Sequence, residues 1–397
     1  MDMDKWLREQ VEAPRKKALP LLSFPGIRFL SGVSVRDLLS SSDLQARCLE
    51  EVARRTDSAA CVSFMDLSVE AEAFGAQIQF FDDEVPAVRG ALVTTMEEAE
   101  ALPIPSVSSG RIGICVDTIR KTVAAVKDKP VLAGAIGPFS LTGRLVDVGE
   151  AMMLCYDEPE LLHVLLEKCV AFSIAYITEL KKAGANGVVI AEPLAGLISP
   201  SHEEEFSSPY VRKIVEAVQD ESFPVIYHNC GNYAYLMTES IKSTGCKAYH
   251  FGNSMDMLDL LDRMGPGYIV MGNIDPAGLF RNATPEAMKT AVTELLERCG
   301  SYPNFIPSSG CDVPPAAPWE NIEAFYEAIN NFYDQKEINT MSILTEINEN
   351  LQKGRSKAVC NLVETALAEK LDPKDIMQSL LDGMNTIGEK FKRDEVF

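Results

Sequence analysis

Phe223-Pro224-Val225-Ile226-Tyr227-His228-Asn229-Cys230-Gly231 is a short apolar run, entered through a proline and left through an asparagine and a glycine. A run of this length between turn residues reads as a strand buried on both faces. Comparable runs stand at Ala18–Phe24, Ala59–Asp66, Pro130–Ile136, Gly187–Glu192, Ala248–Phe251, Tyr268–Gly272 and Asn304–Ser308. Between them lie amphipathic stretches such as Pro159–Gly184 and Pro209–Gln219, whose apolar positions recur at helical intervals. Eight buried strands alternating with helices predict an α/β chain with a parallel sheet closed as a (β/α)8 TIM barrel. A doubly wound open sheet is the alternative, but no Gly-x-Gly-x-x-Gly follows the first strand.

The rhythm ends near Tyr333. Asp334-Gln335-Lys336-Glu337 is polar, and everything beyond reads as helix. A barrel over 1–333 followed by a small all-α segment over 336–397 is the expected organisation. Three helices are placed at roughly 337–352, 355–370 and 373–391, the first two divided by Gly354. The third has Asp372 as N-cap, Pro373 at its first position and Asp375 in its first turn. Ile376, Leu380, Leu381, Met384, Ile387 and Phe391 form one stripe, which needs a partner surface.

Composition narrows the function classes. Of 397 residues, 46% are hydrophobic and 24% charged, which is the balance of a globular protein and not of a disordered one. With 37 basic against 58 acidic side chains the formal charge is −21, a field that repels phosphate backbones and anionic lipids. Nucleic-acid and membrane partners are therefore not expected. No apolar run is expected to approach the 18 or so residues of a membrane span. The opening Met1-Asp2-Met3-Asp4-Lys5-Trp6 lacks the basic-then-apolar order of a secretory signal. Ten scattered cysteines then suggest a reducing cytoplasm, where most are small buried thiols.

Four histidines occur, and each can be weighed. His163 lies mid-helix beside Leu161, Leu162 and Val164, and His202 follows an expected helix start, so both read as surface or structural residues. His250 ends an apolar strand and could face the barrel mouth. His228 and Cys230 lie two residues apart on one face at the C-terminal end of a strand, where barrels place their catalysis. A His-x-Cys pair alone is more often core packing than a metal site. Cys311, in Ile306-Pro307-Ser308-Ser309-Gly310-Cys311, stands just past the last strand and so on the same rim. One imidazole and two thiols with an open position suit zinc. Cys48, Cys61, Cys115, Cys155, Cys169, Cys246, Cys299 and Cys360 show no ligand-like spacing. Glu192 ends a strand and could act catalytically as a displaceable fourth ligand, or simply cap a helix. Asp66, Asn253, Asn273 and Asp275 also finish strands and are candidates for a polar, substrate-binding pocket.

Together these residues look familiar. Tyr227-His228-Asn229-Cys230-Gly231-Asn232, Met271-Gly272-Asn273-Ile274-Asp275-Pro276, Ser309-Gly310-Cys311-Asp312-Val313-Pro314-Pro315 and Ala73-Phe74-Gly75-Ala76 resemble the uroporphyrinogen decarboxylase superfamily, specifically its zinc-dependent corrinoid methyltransferase branch. The resemblance covers roughly residues 15–333. It implies that His228, Cys230 and Cys311 bind zinc. The decarboxylases themselves carry an Arg-rich segment near the N-terminus for a polycarboxylate substrate, where this chain has Leu22-Ser23-Phe24-Pro25-Gly26-Ile27-Arg28-Phe29. The tail resembles the helical N-terminal module of corrinoid proteins, through Ala366-Leu367-Ala368-Glu369-Lys370-Leu371-Asp372-Pro373-Lys374-Asp375-Ile376-Met377 and Leu380-Leu381-Asp382-Gly383-Met384-Asn385-Thr386-Ile387-Gly388-Glu389-Lys390-Phe391. That module is followed in its family by a cobalamin-binding domain with an axial histidine, and no histidine follows His250 here. The module is therefore expected to be incomplete, and the corrinoid to come from a partner protein or a further domain.

The resemblance implies methyl transfer between a corrinoid and a small methylated or thiol substrate, a thiol being activated as a zinc thiolate. Two rivals stand beside it. One is a zinc-free carboxy-lyase in which Asp66 and arginines such as Arg28 bind a carboxylated substrate. The other is a non-catalytic docking module for a corrinoid protein.

Overall fold

The computed structural model describes residues 1–393 and Glu395. Its strands are β1 (Cys61–Val62), β2 (Gln77–Gln79), β3 (Ala87–Arg89), β4 (Val131–Ile136), β5 (Gly187–Ala191), β6 (Val225–Asn229), β7 (Ala248–Phe251), β8 (Ile269–Ile274) and β9 (Phe305–Ser309). β2 and β3 form a separate antiparallel hairpin. The other seven make one parallel sheet in the order β1-β4-β5-β6-β7-β8-β9, each step crossed by helices. The fold is a TIM-type α/β barrel followed by helices, and all ten cysteines are free.

The first expected strand, Ala18–Phe24, has no ladder; Phe24–Phe29 is instead a 3-10 helix. The segment before it still fills the eighth position. Leu19 N–H donates to the Pro307 carbonyl of β9 at 3.0 Å, and Ala59 N–H donates to the Ala18 carbonyl at 2.8 Å. Pro20 and Pro307 have no N–H, so a regular ladder is impossible here. Serine hydroxyls substitute: Leu21 N–H donates to Ser309 Oγ at 3.0 Å, and Ser308 Oγ donates to the Leu19 carbonyl at 2.7 Å. The expected strand Ala59–Asp66 likewise shrinks to Cys61–Val62.

Alternation along each strand sends one residue in two inward. Leu19, Leu21, Val62, Leu132, Val189, Ala191, Ile226, Ala248, Met271 and Ile306 form one buried cluster inside the barrel. Helix Met3–Glu12 adds Met3, Trp6 and Leu7 to it, and its first turn is tied to the Glu221 carbonyl ahead of β6. That closes the N-terminal end with apolar side chains and leaves the C-terminal end for polar ones.

Helix Pro159–Lys182 corrects the expectation about apolar length. By length and composition it could cross a membrane, with a mean hydropathy of 1.6 over its most apolar window. It is apolar because one face is core: Leu161, Leu162, Leu165, Leu166, Cys169, Phe172, Tyr176, Ile177 and Leu180 are all buried.

The chain divides into two compact units, Met1–Ala328 and Ile329–Phe397. The helix expected at 337–352 is the end of a longer one, Trp319–Gln352. Asp334-Gln335-Lys336-Glu337 is polar but contains no Gly or Pro, so the backbone has no reason to break there. Helices Ser356–Ala368 and Pro373–Lys392 complete the second unit, the latter capped by the Asp372 side chain on Lys374 N–H at 2.8 Å. Ile347, Val359, Ala366, Leu371 and Ile376 are its core. The expected stripe splits: Ile376 packs inward, while Leu381, Met384 and Phe391 are exposed.

Candidate functional site

His228, Cys230 and Cys311 meet at the C-terminal end of the barrel, each offering one ligand atom within 4.8 Å of the others. Cys311 Sγ lies 3.5 Å from His228 Nε2 and 3.8 Å from Cys230 Sγ. Tetrahedral zinc with bonds of about 2.0–2.1 Å to nitrogen and about 2.3 Å to sulfur would set those separations at roughly 3.5 and 3.8 Å. The donor set therefore fits zinc in chemistry, and its two separations from Cys311 fit in spacing. Among the described residues it is the one such group of histidine, cysteine and acidic side chains.

Local sequence explains the convergence. His228 faces inward two positions beyond Ile226, as strand alternation requires. Asn229 Oδ1 accepts Gly231 N–H at 2.9 Å, which turns the chain just after β6 and sets Cys230 on the rim. Gly231 and Gly196 touch backbone to backbone, so neither has room for a side chain. Gly252 lies against Cys230 in the same way, and Gly310 against Asn253, which lets the ends of β6, β7 and β9 crowd together.

The two thiols share a proton unevenly. Cys311 S–H donates to Cys230, which holds Cys230 below the ordinary thiol range and pushes Cys311 up to about 12, with burial adding to the rise. His228 is buried and faces His250, its direct register partner on β7, with the two Nδ1 atoms 2.7 Å apart. His250 Nε2 lies 2.8 Å from Ser308 Oγ. Complete burial, together with neighbouring His228, holds His250 well below its ordinary pKa and hence neutral.

The remaining candidates fall elsewhere. Glu192 is fully buried and does not join the trio. Its Oε2 accepts Phe139 N–H at 3.1 Å and its Oε1 accepts Ser140 N–H at 2.6 Å, at the start of helix Pro138–Val146. It is the helix-capping carboxylate of the alternative reading, raised to about 7 by burial against those amides. Asp66 is locked by Ser68 and by a buried ion pair with Arg111, which also holds Glu72 at 2.6 Å. Asn273 donates to the Gly252 and Met255 carbonyls at 2.9 and 2.8 Å, pinning the loop after β7. Asp275 caps the helical turn Pro276–Arg281, and Asn253 is exposed beside Gly310. Arg28 is paired on the surface with Glu320 at 3.3 Å.

Three groups were not singled out from the sequence. Arg111 saturates Asp66. Asp312, directly after Cys311, has a buried Oδ1 without a partner among the described residues. Ser308 was detectable only through its inward alternation with Ile306.

The chain matches the Uroporphyrinogen decarboxylase (URO-D) family over residues 27–332 and the B12 binding domain over 343–397. Uroporphyrinogen decarboxylase of Coxiella burnetii is 29% identical over 290 residues, covering 70% of this chain and 79% of the relative. Methylcobamide:CoM methyltransferase MtbA of Methanosarcina acetivorans is 29% identical over 272 residues, covering 67% and 78%. A methyltransferase structure from Methanosarcina mazei superposes with a TM-score of 0.75 at 21% identity, over 84% of this chain and 99% of that one.

Proposed function

The chain belongs to the uroporphyrinogen decarboxylase family, and from that premise we propose that it is a zinc-dependent methyltransferase, moving a methyl group between a corrinoid and a small thiol. One observation carries the reading: an imidazole and two thiols converge on one rim, in a chain that also matches the B12 binding domain. Similarity to a methylcobamide:CoM methyltransferase supports it.

His228, Cys230 and Cys311 would hold the ion. Zinc, when bound, lowers the pKa of a substrate thiol so that it stands as a thiolate at neutral pH. The two cysteines must then give up their protons, which ends the S–H contact between them and leaves two negative charges beside a neutral His228. Those two charges would cancel the ion's own, so that a substrate thiolate joining the set would make it anionic overall and keep its sulfur electron-rich. A corrinoid from a partner, or from a further domain, carries the methyl group, and the helical second unit is the segment that receives it.

The carboxy-lyase reading needs free cations at the mouth for carboxylates. Arg28 is spent on Glu320, and Arg111 on Asp66, Glu72 and Ser68. Those pairings occupy the Arg28 and Asp66 that this reading invokes, while Arg144, half-buried and within the field of Asp66, has no ion pair among the described residues.

The test is metal analysis of the purified protein, followed by anaerobic loss of methyl-cobalt absorbance from methylcobalamin against a panel of thiols. One zinc per chain and turnover with one thiol are expected; Cys230→Ala and Cys311→Ala should lose both. A zinc-free protein that releases carbon dioxide from a carboxylated porphyrinogen would establish the lyase. Binding of a corrinoid protein with no transfer to any thiol would establish the docking module.

A further inference from the structure

We infer that a hydrogen-bond relay running from the Leu19 carbonyl through Ser308 and His250 fixes the tautomer of His228, making His250 and Ser308 positioning residues for the metal. The inference rests on the zinc reading above, and its argument is donor and acceptor accounting. The Leu19 carbonyl can only accept, so Ser308 Oγ, 2.7 Å away, must donate its one proton there. Ser308 then has only lone pairs left for His250 Nε2 at 2.8 Å, and His250 Nε2 must carry hydrogen. The His250 ring is completely buried and bonded to no carboxylate among the described residues, so it has one ring hydrogen, and with that hydrogen on Nε2 its Nδ1 is bare. Across the 2.7 Å gap, His228 Nδ1 must therefore be the donor. That leaves the His228 Nε2 lone pair free, and Nε2 is the atom 3.5 Å from Cys311 Sγ.

The anchor exists because the eighth stave has no ladder. The stave makes no regular ladder with β9, and the Leu19 carbonyl is taken by the Ser308 hydroxyl. Ligand histidines are commonly oriented in this way by a partner on their second nitrogen, and losing that partner costs about 10- to 100-fold in metal affinity.

The experiment uses the full chain with ¹⁵N-histidine labelling. Nitrogen shifts of the zinc-free protein report the His228 tautomer, and competition with a chromophoric chelator reports zinc affinity. Wild type is expected to show His228 with hydrogen on Nδ1. Ser308→Ala, which lets His250 turn its proton around, and His250→Phe should show a mixed or reversed tautomer and bind zinc about 10- to 100-fold more weakly. His250→Asn, which returns an oxygen acceptor near the lost Nδ1, should recover part of that loss. Unchanged tautomer and unchanged affinity in folded Ser308→Ala would overturn the relay. A wild type with the expected tautomer but no affinity for zinc would instead sink the metal reading and leave the relay standing.

Discussion

At the scale of single residues, the site depends on atoms that are missing as much as on those present. A Cβ on Gly252 would sit 2.6 Å from Cys230 Cα and 2.7 Å from its Cβ. Gly252→Ala should therefore push Cys230 off the rim, costing about 1–3 kcal/mol of stability as overpacking does. Zinc affinity should fall with it. Chelator competition checks this, and an unchanged affinity would show that Cys230 has slack. A second residue gives a pH signature away from the trio. Burial raises the Glu70 carboxyl from 4.5 to about 7, against the Ile136 amide it accepts at 2.9 Å. The folded state thus keeps a proton that the unfolded chain releases between those values, so stability falls as pH rises through that window. Glu192 adds a similar slope. Glu70→Gln keeps an acceptor for Ile136 and cannot ionise, so between pH 5 and 7 its urea stability should fall by about 1.4 kcal/mol per pH unit less than wild type. Parallel profiles would mean that Glu70 does not hold that proton.

Elements show what the sequence could reveal and where it ran out. Runs such as Val188-Val189-Ile190 and Val225-Ile226-Tyr227 are legible because burial on both faces leaves no polar position. From them follow the parallel sheet, the inward face of each strand and the rim position of His228 and Cys230. The first stave is located by its apolar run at Ala18–Phe24, but its irregularity escapes because that lies in long-range bonds: Leu21 N–H finds Ser309 Oγ, not a ladder carbonyl. Glu192 misleads for a related reason, since the amides it caps belong to a helix more than fifty residues earlier in the chain. The polar run 334–337 misleads because polarity marks solvent, whereas only Gly, Pro or a cap marks an end. The stave supplies its own test. Ser309→Ala strands a buried Leu21 N–H, and should cost about 1–3 kcal/mol in urea unfolding. A cost below a few tenths of a kcal/mol would show that water or a shifted backbone replaces the hydroxyl.

For the whole molecule, the division into two units separates two tasks. His228, Cys230, Cys311, His250 and Ser308 all lie within Met1–Ala328, and the B12 binding domain match lies within Ile329–Phe397. Metal binding and corrinoid reception should then respond to different substitutions. The second unit leaves large apolar side chains in water: on helix Pro373–Lys392, Met377, Leu381, Met384 and Phe391 are 58%, 46%, 61% and 63% exposed. Met377, Leu381 and Met384 are spaced to share one helical face, an adaptable apolar surface suited to a large ligand. Charged residues there cost little folding energy, because the side chains are already in water. Met377→Glu combined with Met384→Glu should thus leave zinc stoichiometry, and stability to within about 0.5 kcal/mol per site, unchanged. Steady-state kinetics should show KM for the methyl-corrinoid raised and KM for the thiol unaltered. If both constants stayed at their wild-type values, the second unit would have no part in receiving the corrinoid, and the barrel would have to bind it unaided.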